Sequence, residues 1–189
     1  MSLTILCING IITPEPVNSR LWGPIAEEFA DHYPDATFRI EHLLYGPHNI
    51  VAMRAFIAEL VARYDHAGDH LIIIGHSMGG IIALAAEPRF AKSKVLAVVT
   101  VFSPITYIGA FYPLMLGAHK ISHTAKIFSF AATHDLFVPY GARHPQADHH
   151  EDVFSTHILF PLVSNQLAKR ITAAVVRTLS RTDARAQIQ

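Results

Sequence analysis

One stretch, residues 71–84, constrains the fold of this chain more than any other. It reads Leu-Ile-Ile-Ile-Gly-His-Ser-Met-Gly-Gly-Ile-Ile-Ala-Leu. The four apolar residues at 71–74 are typical of a strand buried on both faces, and the small apolar run after the glycines favours a helix. Between them stands the pattern Gly-x-Ser-x-Gly, with Ser77 at its centre. Strand, sharp turn and helix together predict a serine held in a strained turn.

A serine in this position has the surroundings of a nucleophile. Glycines at 75 and 79 lack the Cβ atoms that would collide in so tight a turn. The helix after Ser77 directs its first N–H groups and the positive end of its dipole towards the hydroxyl. A glycine-rich turn with an incidental serine is the alternative. It explains the five residues alone but not their position between a strand and a helix.

The segment Gly-His-Ser-Met-Gly-Gly at residues 75–80 resembles the nucleophile elbow of the α/β-hydrolase family, especially of its lipase- and esterase-like members. The resemblance covers nearly the whole chain and implies a triad in the order serine, acid, histidine. The first strand resembles the family's third, so the fold is expected to be shortened at the N-terminus. A large cap insertion is expected to be missing too, since only residues 103–125 leave room for one.

Strand-like and helix-like segments alternate along the chain. Strands are predicted at 3–8, 36–44, 71–74, 95–102 and 126–132, and residues 11–18, with two prolines, are predicted as a loop. Helices are predicted along Leu21, Trp22, Ile25 and Phe29, over 50–64 behind an Asn49 cap, from Ser77 to about Glu87, and along Phe160, Val163, Leu167, Ile171 and Val175. This alternation predicts a single domain over residues 1–189, a three-layer α/β/α sandwich with a mostly parallel sheet.

Asp135 is the expected acid of the triad. It follows the predicted strand 126–132 in the run His-Asp-Leu-Phe-Val-Pro at 134–139, which resembles the family's acid loop. Aspartates in loops often only stabilise turns. The position of Asp135 at the carboxyl end of a strand, after Ser77 in the chain, favours the catalytic role.

His157 is the expected base. It stands in Ser-Thr-His-Ile-Leu at 155–159, just before the final helix, and resembles the family's histidine followed by apolar residues. Thr156 occupies the place where the family often has glycine. His149 and His150 compete for the role. A serine needs such a base, and the base needs an acid to orient it.

A polar cluster between the acid and the base raises the question of a metal. Its spacing matches no zinc pattern and no His-Glu-x-x-His is present, so a solvated charged loop is predicted instead. Neither a metal nor another cofactor is expected. The cluster comprises His144, Asp148, His149, His150, Glu151 and Asp152.

Two backbone N–H groups are needed to bind the oxyanion of the reaction. The N–H of Met78, directly after the nucleophile, is the first candidate, and that of Ile11 is the second. Asn9-Gly10-Ile11 follows the first strand, where the family often has His-Gly. Gly10 is expected to permit a tight turn and Asn9 to brace it, although an ordinary turn explains the same residues.

Composition excludes several functional classes. The chain is 51% apolar and 16% charged with zero formal charge, which suits a buried parallel sheet and gives no attraction for nucleic acid. No apolar run is long enough to span a membrane. The single cysteine, Cys7, excludes an intrachain disulfide, and the start of the chain lacks the features of a signal peptide. A soluble, cytoplasmic protein is therefore predicted.

The residues and the resemblance together predict a serine hydrolase for small-molecule carboxylic esters with an apolar acyl or alkyl group. The mostly apolar residues 104–117 are expected either to line a pocket for that group or to pack in the core or at a contact between subunits. A homo-oligomer is compatible with the sequence. Thioester hydrolysis and acyl transfer use the same apparatus, and a non-catalytic binding module on the same scaffold is the alternative from another class.

Overall fold

The computed structural model describes residues 2–10, 15–42, 49–105, 123–136, 138, 143–156 and 160–186. The described strands are β1 (Leu3–Ile8), β2 (Thr37–Glu41), β3 (His70–His76), β4 (Lys94–Val101), β5 (Lys126–Ala132) and β6 (His149–Val153). The described α-helices are α1 (Glu15–His32), α2 (Ile50–Tyr64), α3 (Met78–Ala86) and α4 (Phe160–Ala186), and a short 3₁₀ turn at Glu87–Arg89 follows α3.

The described strands form one sheet in the order β2-β1-β3-β4-β5-β6, and every neighbouring pair is parallel. All their carboxyl ends therefore meet at one edge, called here the carboxyl edge. Helices cover both faces, because each parallel connection must return across the sheet to its amino edge. The predicted three-layer α/β/α architecture is confirmed.

Two apolar layers hold the helices to the sheet. Alternate residues of β1 and β3 enter opposite layers, which is why 71–74 is apolar throughout. On one face α2 and α3 pack against residues that include Leu6, Ile8, Ile73, Val98 and Ile127. On the other face α1 and α4 pack against residues that include Ile5, Cys7, Ile72, Ile74 and Phe128.

Most predicted elements are confirmed. Asn49 accepts a hydrogen bond at 2.9 Å from the Ala52 N–H and so caps α2. The four apolar residues predicted for α1 are buried, as are Leu167, Ile171 and Val175 of α4, and Cys7 is a buried free thiol. Within the described residues, no helix combines the length and the apolar character needed to cross a membrane.

Two predictions about the first half of the chain are corrected. The loop predicted over 11–18 ends earlier, because α1 begins at Glu15; residues 11–14 lie outside the described part. Pro16 fits there because a first-turn N–H has no acceptor within the helix. The strand predicted over 36–44 is only Thr37–Glu41.

The charged cluster after β5 is not a solvated loop. Residues 149–153 form β6, which pairs with β5 over five residue pairs, and the prediction missed this strand. His144 is buried, and Asp148 accepts hydrogen bonds from the Ile127 N–H and the Lys126 ammonium, both at 2.8 Å. The error arose because Asp and Glu disfavour strands, whereas charged side chains are common on a strand at the end of a sheet.

Candidate functional site

The predicted nucleophile and acid lie at the carboxyl edge. Hydrogen bonds from Ser77 N–H to the Val101 carbonyl at 2.9 Å and from Phe102 N–H to the Phe130 carbonyl at 2.8 Å continue the sheet pairing beyond the strands. The chain segments after β3, β4 and β5 therefore leave the sheet side by side. Since only β4 separates β3 from β5, the axes of these two strands are about 9.6 Å apart.

Ser77 occupies the strained turn that the sequence predicted. Its φ is 53° and its ψ is −124°, and it is the N-cap of α3. This backbone conformation is unfavourable for a residue with a Cβ, and it occurs at sites where the surrounding structure enforces it. A Cβ at Gly75 would collide with the backbone of Gly79, and a Cβ at Gly79 would collide with the carbonyl of Ile8. The predicted need for both glycines is confirmed.

The loop after β1 packs directly against the nucleophile. A Cβ at Gly10 would lie 2.8 Å from the Ser77 Cβ and 3.4 Å from its Oγ. The φ of Gly10 does not lie in the left-handed region. Residues 11–14, which would complete the expected tight turn, lie outside the described residues, so that role of Gly10 stays a prediction. The structure shows a further need for this glycine, because a larger residue would press on Ser77.

Asn9 braces this loop through its side chain. Its Oδ1 accepts a hydrogen bond at 2.5 Å from the Trp22 indole, and its Nδ2 lies 2.8 Å from the His42 Nδ1. Its own N–H donates to the Glu41 carbonyl at 3.0 Å. The loop is thereby tied to α1 and to the end of β2. The predicted bracing role is confirmed, and the structure adds the two partners.

Met78, the predicted oxyanion donor beside the nucleophile, is the first residue of α3 and is buried. The N–H groups at the start of a helix have no acceptor within it and carry the positive end of its dipole. The Gly80 N–H donates to the Ser77 carbonyl at 3.1 Å and closes the first turn. The start of α3 is therefore suited to stabilise negative charge next to Ser77.

Asp135 follows β5 and is only 5% exposed. Its Oδ1 accepts a hydrogen bond at 2.9 Å from the Val138 N–H, which orients the carboxylate within its own turn. Buried carboxylates require such hydrogen bonds. This environment fits an acid that orients a neighbouring imidazole.

Two of the predicted site residues, His157 and Ile11, lie outside the described residues. The structure places Ser77 and Met78 after β3 and Asp135 after β5, at the same edge of the sheet and with Gly10 against the serine, and leaves the other two residues as predictions. Residues 143–156, which lead up to His157, are described. The His134 N–H donates to the Ser155 carbonyl at 3.1 Å, so the segment that leads to His157 runs beside the Asp135 loop.

The competing histidines, His149 and His150, lie at the amino-terminal end of β6, away from the carboxyl edge. His149 is opposite Phe128 and His150 opposite Ser129, whereas the carboxyl end of β6 is Val153. At about 3.3 Å per residue, His149 is about 13 Å from that end along the strand. Their Nε2 atoms lie 3.5 Å from Glu151 Oε2 and 3.1 Å from Asp152 Oδ1, respectively.

Sequence reasoning missed a second strained turn beside Ser77. Phe102, directly after β4, has a φ of 49°, unusual for a bulky residue. The buried Ser103 hydroxyl lies 3.3 Å from the Val101 carbonyl and 3.5 Å from the Gly75 carbonyl, and a Cβ at Gly80 would collide with it. The second glycine of Gly-Gly at 79–80 was the only indication in the sequence.

The predicted pocket segment, residues 104–117, is described only at its first two residues. Ile105 is buried with the core residues of α3, so core packing accounts for that position. Among the described side chains, no group of three or more His, Cys, Asp or Glu is arranged to hold a metal ion.

Comparisons with known proteins agree with this architecture. The chain is similar in structure to a monoacylglycerol lipase from Paleococcus ferrophilus, with 12% identity, a TM-score of 0.64 and coverage of 92% of this chain and 94% of that one. It is similar to the esterase domain of a Rhodothermus marinus protein, with 15% identity, a TM-score of 0.56 and coverage of 90% and 86%. It is also similar to the type II thioesterase BorB from the borrelidin biosynthetic cluster, with 16% identity, a TM-score of 0.60 and coverage of 93% of this chain and 92% of that one.

Identities this low show a shared fold and do not transfer an activity. No curated protein matches the chain significantly. The sequence model of the Alpha/beta hydrolase family matches residues 5–186. This match covers almost the entire chain, and in the parallel sheet of the chain β3 is followed by a strained turn at Ser77. The chain therefore belongs to the α/β hydrolase family.

Proposed function

We propose that the single domain predicted over residues 1–189 is a serine hydrolase that cleaves small-molecule carboxylic esters through an acyl-enzyme on Ser77. The observation that carries the proposal is the conformation of Ser77. This residue is held at positive φ at the start of α3, with Gly10 packed against its side chain. Backbone strain of this kind persists where it serves a function. The family match and the position of Asp135 support the same chemistry.

In the proposed reaction, His157 takes the proton from Ser77 as the hydroxyl oxygen attacks the ester carbonyl. Asp135 holds the imidazole in the required tautomer and stabilises its charged form. His157 then gives the proton to the leaving alcohol, and water hydrolyses the acyl-enzyme by the same route. The hydrogen bond from the His134 N–H to the Ser155 carbonyl supports His157 as the base. It holds the chain beside the Asp135 loop at a position two residues before His157.

His149 and His150 are less suited to be the base. Both stand on β6 well before its carboxyl end, and each has a nearby carboxylate on its own strand. A base must come within about 3 Å of the hydroxyl whose proton it takes. The position of these residues along the strand does not support such an approach to Ser77.

The N–H groups of Met78 and Ile11 are the proposed oxyanion donors. The position of Met78 as the first residue of α3 supports this role, because N–H groups there have no acceptor within the helix and carry the positive end of its dipole. The contact between Gly10 and Ser77 supports Ile11 as the second donor, since Ile11 is the next residue along the loop. Each such donor is worth about a hundredfold to a thousandfold in kcat in other hydrolases.

Thioester hydrolysis and acyl transfer to an alcohol use the same residues, and the similarity to BorB extends to the fold alone. A binding module without activity is the remaining alternative. These alternatives differ in whether Ser77 is activated and in which acyl compounds it turns over, and both properties are measurable.

A fluorophosphonate probe tests the proposal, because only an activated serine reacts with it. The wild-type protein should be labelled, and it should hydrolyse p-nitrophenyl esters of graded acyl length faster than matched thioesters. Ser77→Ala should lose labelling and several powers of ten in kcat while it keeps its fold, as judged by circular dichroism. Ser180→Ala, on the exposed side of α4, is the matched control. Turnover by a folded Ser77→Ala protein would refute the mechanism.

A further inference from the structure

Three side chains connect the loop beside the nucleophile to α1 and to the end of β2. The Trp22 indole N–H donates to Asn9 Oδ1 at 2.5 Å, and Asn9 Nδ2 lies 2.8 Å from His42 Nδ1. Trp22 and Asn9 are buried, whereas His42 is half-buried and so exchanges protons with solvent. Trp22, Asn9 and His42 are called here the Asn9 bridge.

The hydrogen-bonding capacities of these three groups fix the state of His42. An indole nitrogen only donates, so the amide oxygen of Asn9 must face Trp22 and the amide nitrogen must face His42. That amide nitrogen is itself a donor. His42 Nδ1 is therefore the acceptor, and the imidazole is neutral with its proton on Nε2.

Protonation of His42 removes this acceptor. Both ring nitrogens of a charged imidazole donate, so Trp22 and His42 would then compete for the single amide oxygen of Asn9. One of the two hydrogen bonds must be lost, whichever way the amide turns. Because a buried polar group that loses its partner is costly, the bridge no longer holds the loop after β1 in the same position.

This loop contacts the turn around Ser77 at two positions. A Cβ at Gly79 would lie 2.8 Å from the Asn9 carbonyl oxygen, and a Cβ at Gly10 would lie 2.8 Å from the Ser77 Cβ. Ile11, the proposed second oxyanion donor, follows directly in the chain. A shift of Asn9 therefore reaches the reacting hydroxyl and the proposed oxyanion donor within one or two residues.

The charged neighbours of His42 on β2 and α2 face the opposite side of the sheet. Glu41 Oε1 accepts hydrogen bonds from Arg63 Nη1 at 2.7 Å and from the Tyr64 hydroxyl at 2.5 Å, both on α2. Arg39 shares the face of Glu41, because side chains two positions apart on a strand point the same way, and it is exposed. The side of β2 that faces α1 is where His42 meets the bridge.

The charged side chains described on α1 also lie away from the bridge. Arg20 is exposed and stands two positions from Trp22, on another side of the helix. The others lie at least five residues, or about 7.5 Å, beyond Trp22 towards the amino edge: Glu27, Glu28, Asp31 and His32. On the described part of these elements, His42 is thus the titratable group that the bridge itself contains.

We propose that His42 is a positioning residue for Ser77, whose neutral form holds the loop after β1 through Asn9 and whose protonated form releases that loop and slows the reaction. The effect on the reaction rests on the proposed function; the competition for the Asn9 oxygen does not. Since the proposed base must also lose a proton, kcat/KM should fall more steeply than one proton explains over about pH 8 to 5, where histidines titrate.

The pH profiles of variants at this position test the role. His42→Leu has no acceptor and should lower kcat about tenfold near pH 8, with a smaller effect on KM. His42→Asn places an amide oxygen near the position of Nδ1, so it accepts from Asn9 but does not titrate. It should recover most of the activity that His42→Leu loses and should show an acid limb of one proton. His32→Asn, at an exposed histidine, is the matched control.

The indole of Trp22 reports on the bridge without any catalysis. It is the only tryptophan of the chain, so its N–H gives a single side-chain resonance in a proton–nitrogen correlation spectrum. That resonance should move with pH in the wild type and in Ser77→Ala, because the indole loses or weakens its hydrogen bond when His42 is protonated. It should stay in place in His42→Asn.

Three outcomes would overturn the role of His42. One is a wild-type indole resonance that does not move over the pH range. Another is a movement that persists in His42→Asn, which would assign it to a different group. The third is equal kcat in His42→Leu and His42→Asn, with folding checked by circular dichroism, which would show that the acceptor does not position Ser77.

Failure of the proposed function gives a different result. Wild-type protein that neither turns over esters nor reacts with a fluorophosphonate, but whose indole resonance titrates through His42, would refute the hydrolase and support the bridge. If His42→Leu folds poorly, the comparison of the wild type with His42→Asn still decides the matter, through the acid limb and the indole resonance together.

Discussion

At the scale of single residues, the position of the Ser77 side chain is constrained by Gly10, which stands 67 positions earlier in the chain. The contact of Gly10 with Ser77 leaves no room for a methyl group, since its Cβ would lie 2.8 Å from the Ser77 Cβ. Either the loop after β1 or the serine would have to shift. A displacement of the reacting group by even 1 Å costs about a hundredfold in rate.

Gly10→Ala should therefore lower kcat by about two powers of ten with a smaller effect on KM. The loss should exceed what its change in thermal stability explains, because the substitution acts at Ser77 itself. Gly23→Ala is the control, since a Cβ at Gly23 has nothing within 4 Å. Steady-state kinetics and thermal unfolding on the same preparations measure both effects. Normal kcat in Gly10→Ala would mean that the loop yields at no cost to catalysis.

The identity of the base is also decided at a single residue. His157→Ala should eliminate turnover of a soluble ester, because no other group would accept the Ser77 proton. His149→Ala and His150→Ala should each keep most of the activity, since both residues stand on β6 below the carboxyl edge. Circular dichroism controls for folding. The reverse pattern would move the base to β6 and leave His157 a structural role.

At the scale of elements, the turn after β4 holds the start of α3 in place. Ser103 occupies the space beside Gly80, and its hydroxyl lies within 3.5 Å of the Gly75 carbonyl. Gly75 and Gly80 belong to β3 and α3, on either side of Ser77. The strained Phe102 brings Ser103 to this position. Packing of β4 against the elbow thus contributes to the geometry of the nucleophile.

Gly80→Ala should destabilise the protein and lower kcat, because the new Cβ would collide with the Ser103 hydroxyl. The cost of such overpacking is typically about 1–3 kcal/mol. Ser103→Gly removes the colliding atoms, so the double variant should recover more stability and activity than independent effects would allow. Urea unfolding and kcat of the four proteins in the cycle measure the coupling. Additive effects would show that the contact does not constrain α3.

At the scale of the whole molecule, two carboxylates tie distant segments together at the amino edge. Glu87, which is 3% exposed, lies 2.8 Å from the His123 Nδ1 and accepts hydrogen bonds from Thr124 and from the Ala125 N–H. It thereby joins the end of α3 to the start of β5. Asp65 accepts hydrogen bonds from the three consecutive N–H groups of residues 91–93 and joins α2 to the start of β4.

The pKa values of both carboxyls lie below their ordinary values. Burial by itself raises the pKa of Glu87, but the hydrogen bonds from His123, from the Ala125 N–H and from Thr124 outweigh it. For Asp65, the same effect of burial on the pKa is outweighed by the N–H groups of Ser93, Lys92 and Ala91. In the unfolded chain both groups bind protons more readily, so they stabilise the fold at neutral pH.

The stability from these groups should be fully present above their ordinary pKa values and should be lost as the pH falls through the lower values of the folded state. Glu87→Gln should therefore lower the free energy of unfolding at pH 7 and should flatten its fall between about pH 5 and pH 3. Urea unfolding of both proteins over this range measures the difference, and Glu59→Gln, on the exposed face of α2, is the control. A difference that is the same at pH 3 and pH 7 would contradict the linkage.

Much of this fold was predictable because the determining features are local. The period of apolar residues, the Asn49 cap and the strand before Ser77 each lie within a few neighbouring positions, so β1, α2, β3, β5 and α4 could be located from the sequence. β6 could not be located, because its charged residues favour a loop and only pairing with β5 makes them a strand.

By itself, the sequence determined the family, the layered architecture and the strained turn at Ser77, because Gly-His-Ser-Met-Gly between a strand and a helix has few other conformations. It also proposed Asp135 as the acid, and the structure places this residue in the turn after β5, at the same edge. The catalytic role of Asp135, His157 as base and Ile11 as donor remain predictions. Only the tertiary structure decided which distant residues surround the serine. Gly10 contacts Ser77 because β1 lies beside β3, and Ser103 contacts Gly80 because β4 lies on the other side. The order of strands in the sheet, which no local pattern specifies, sets these contacts.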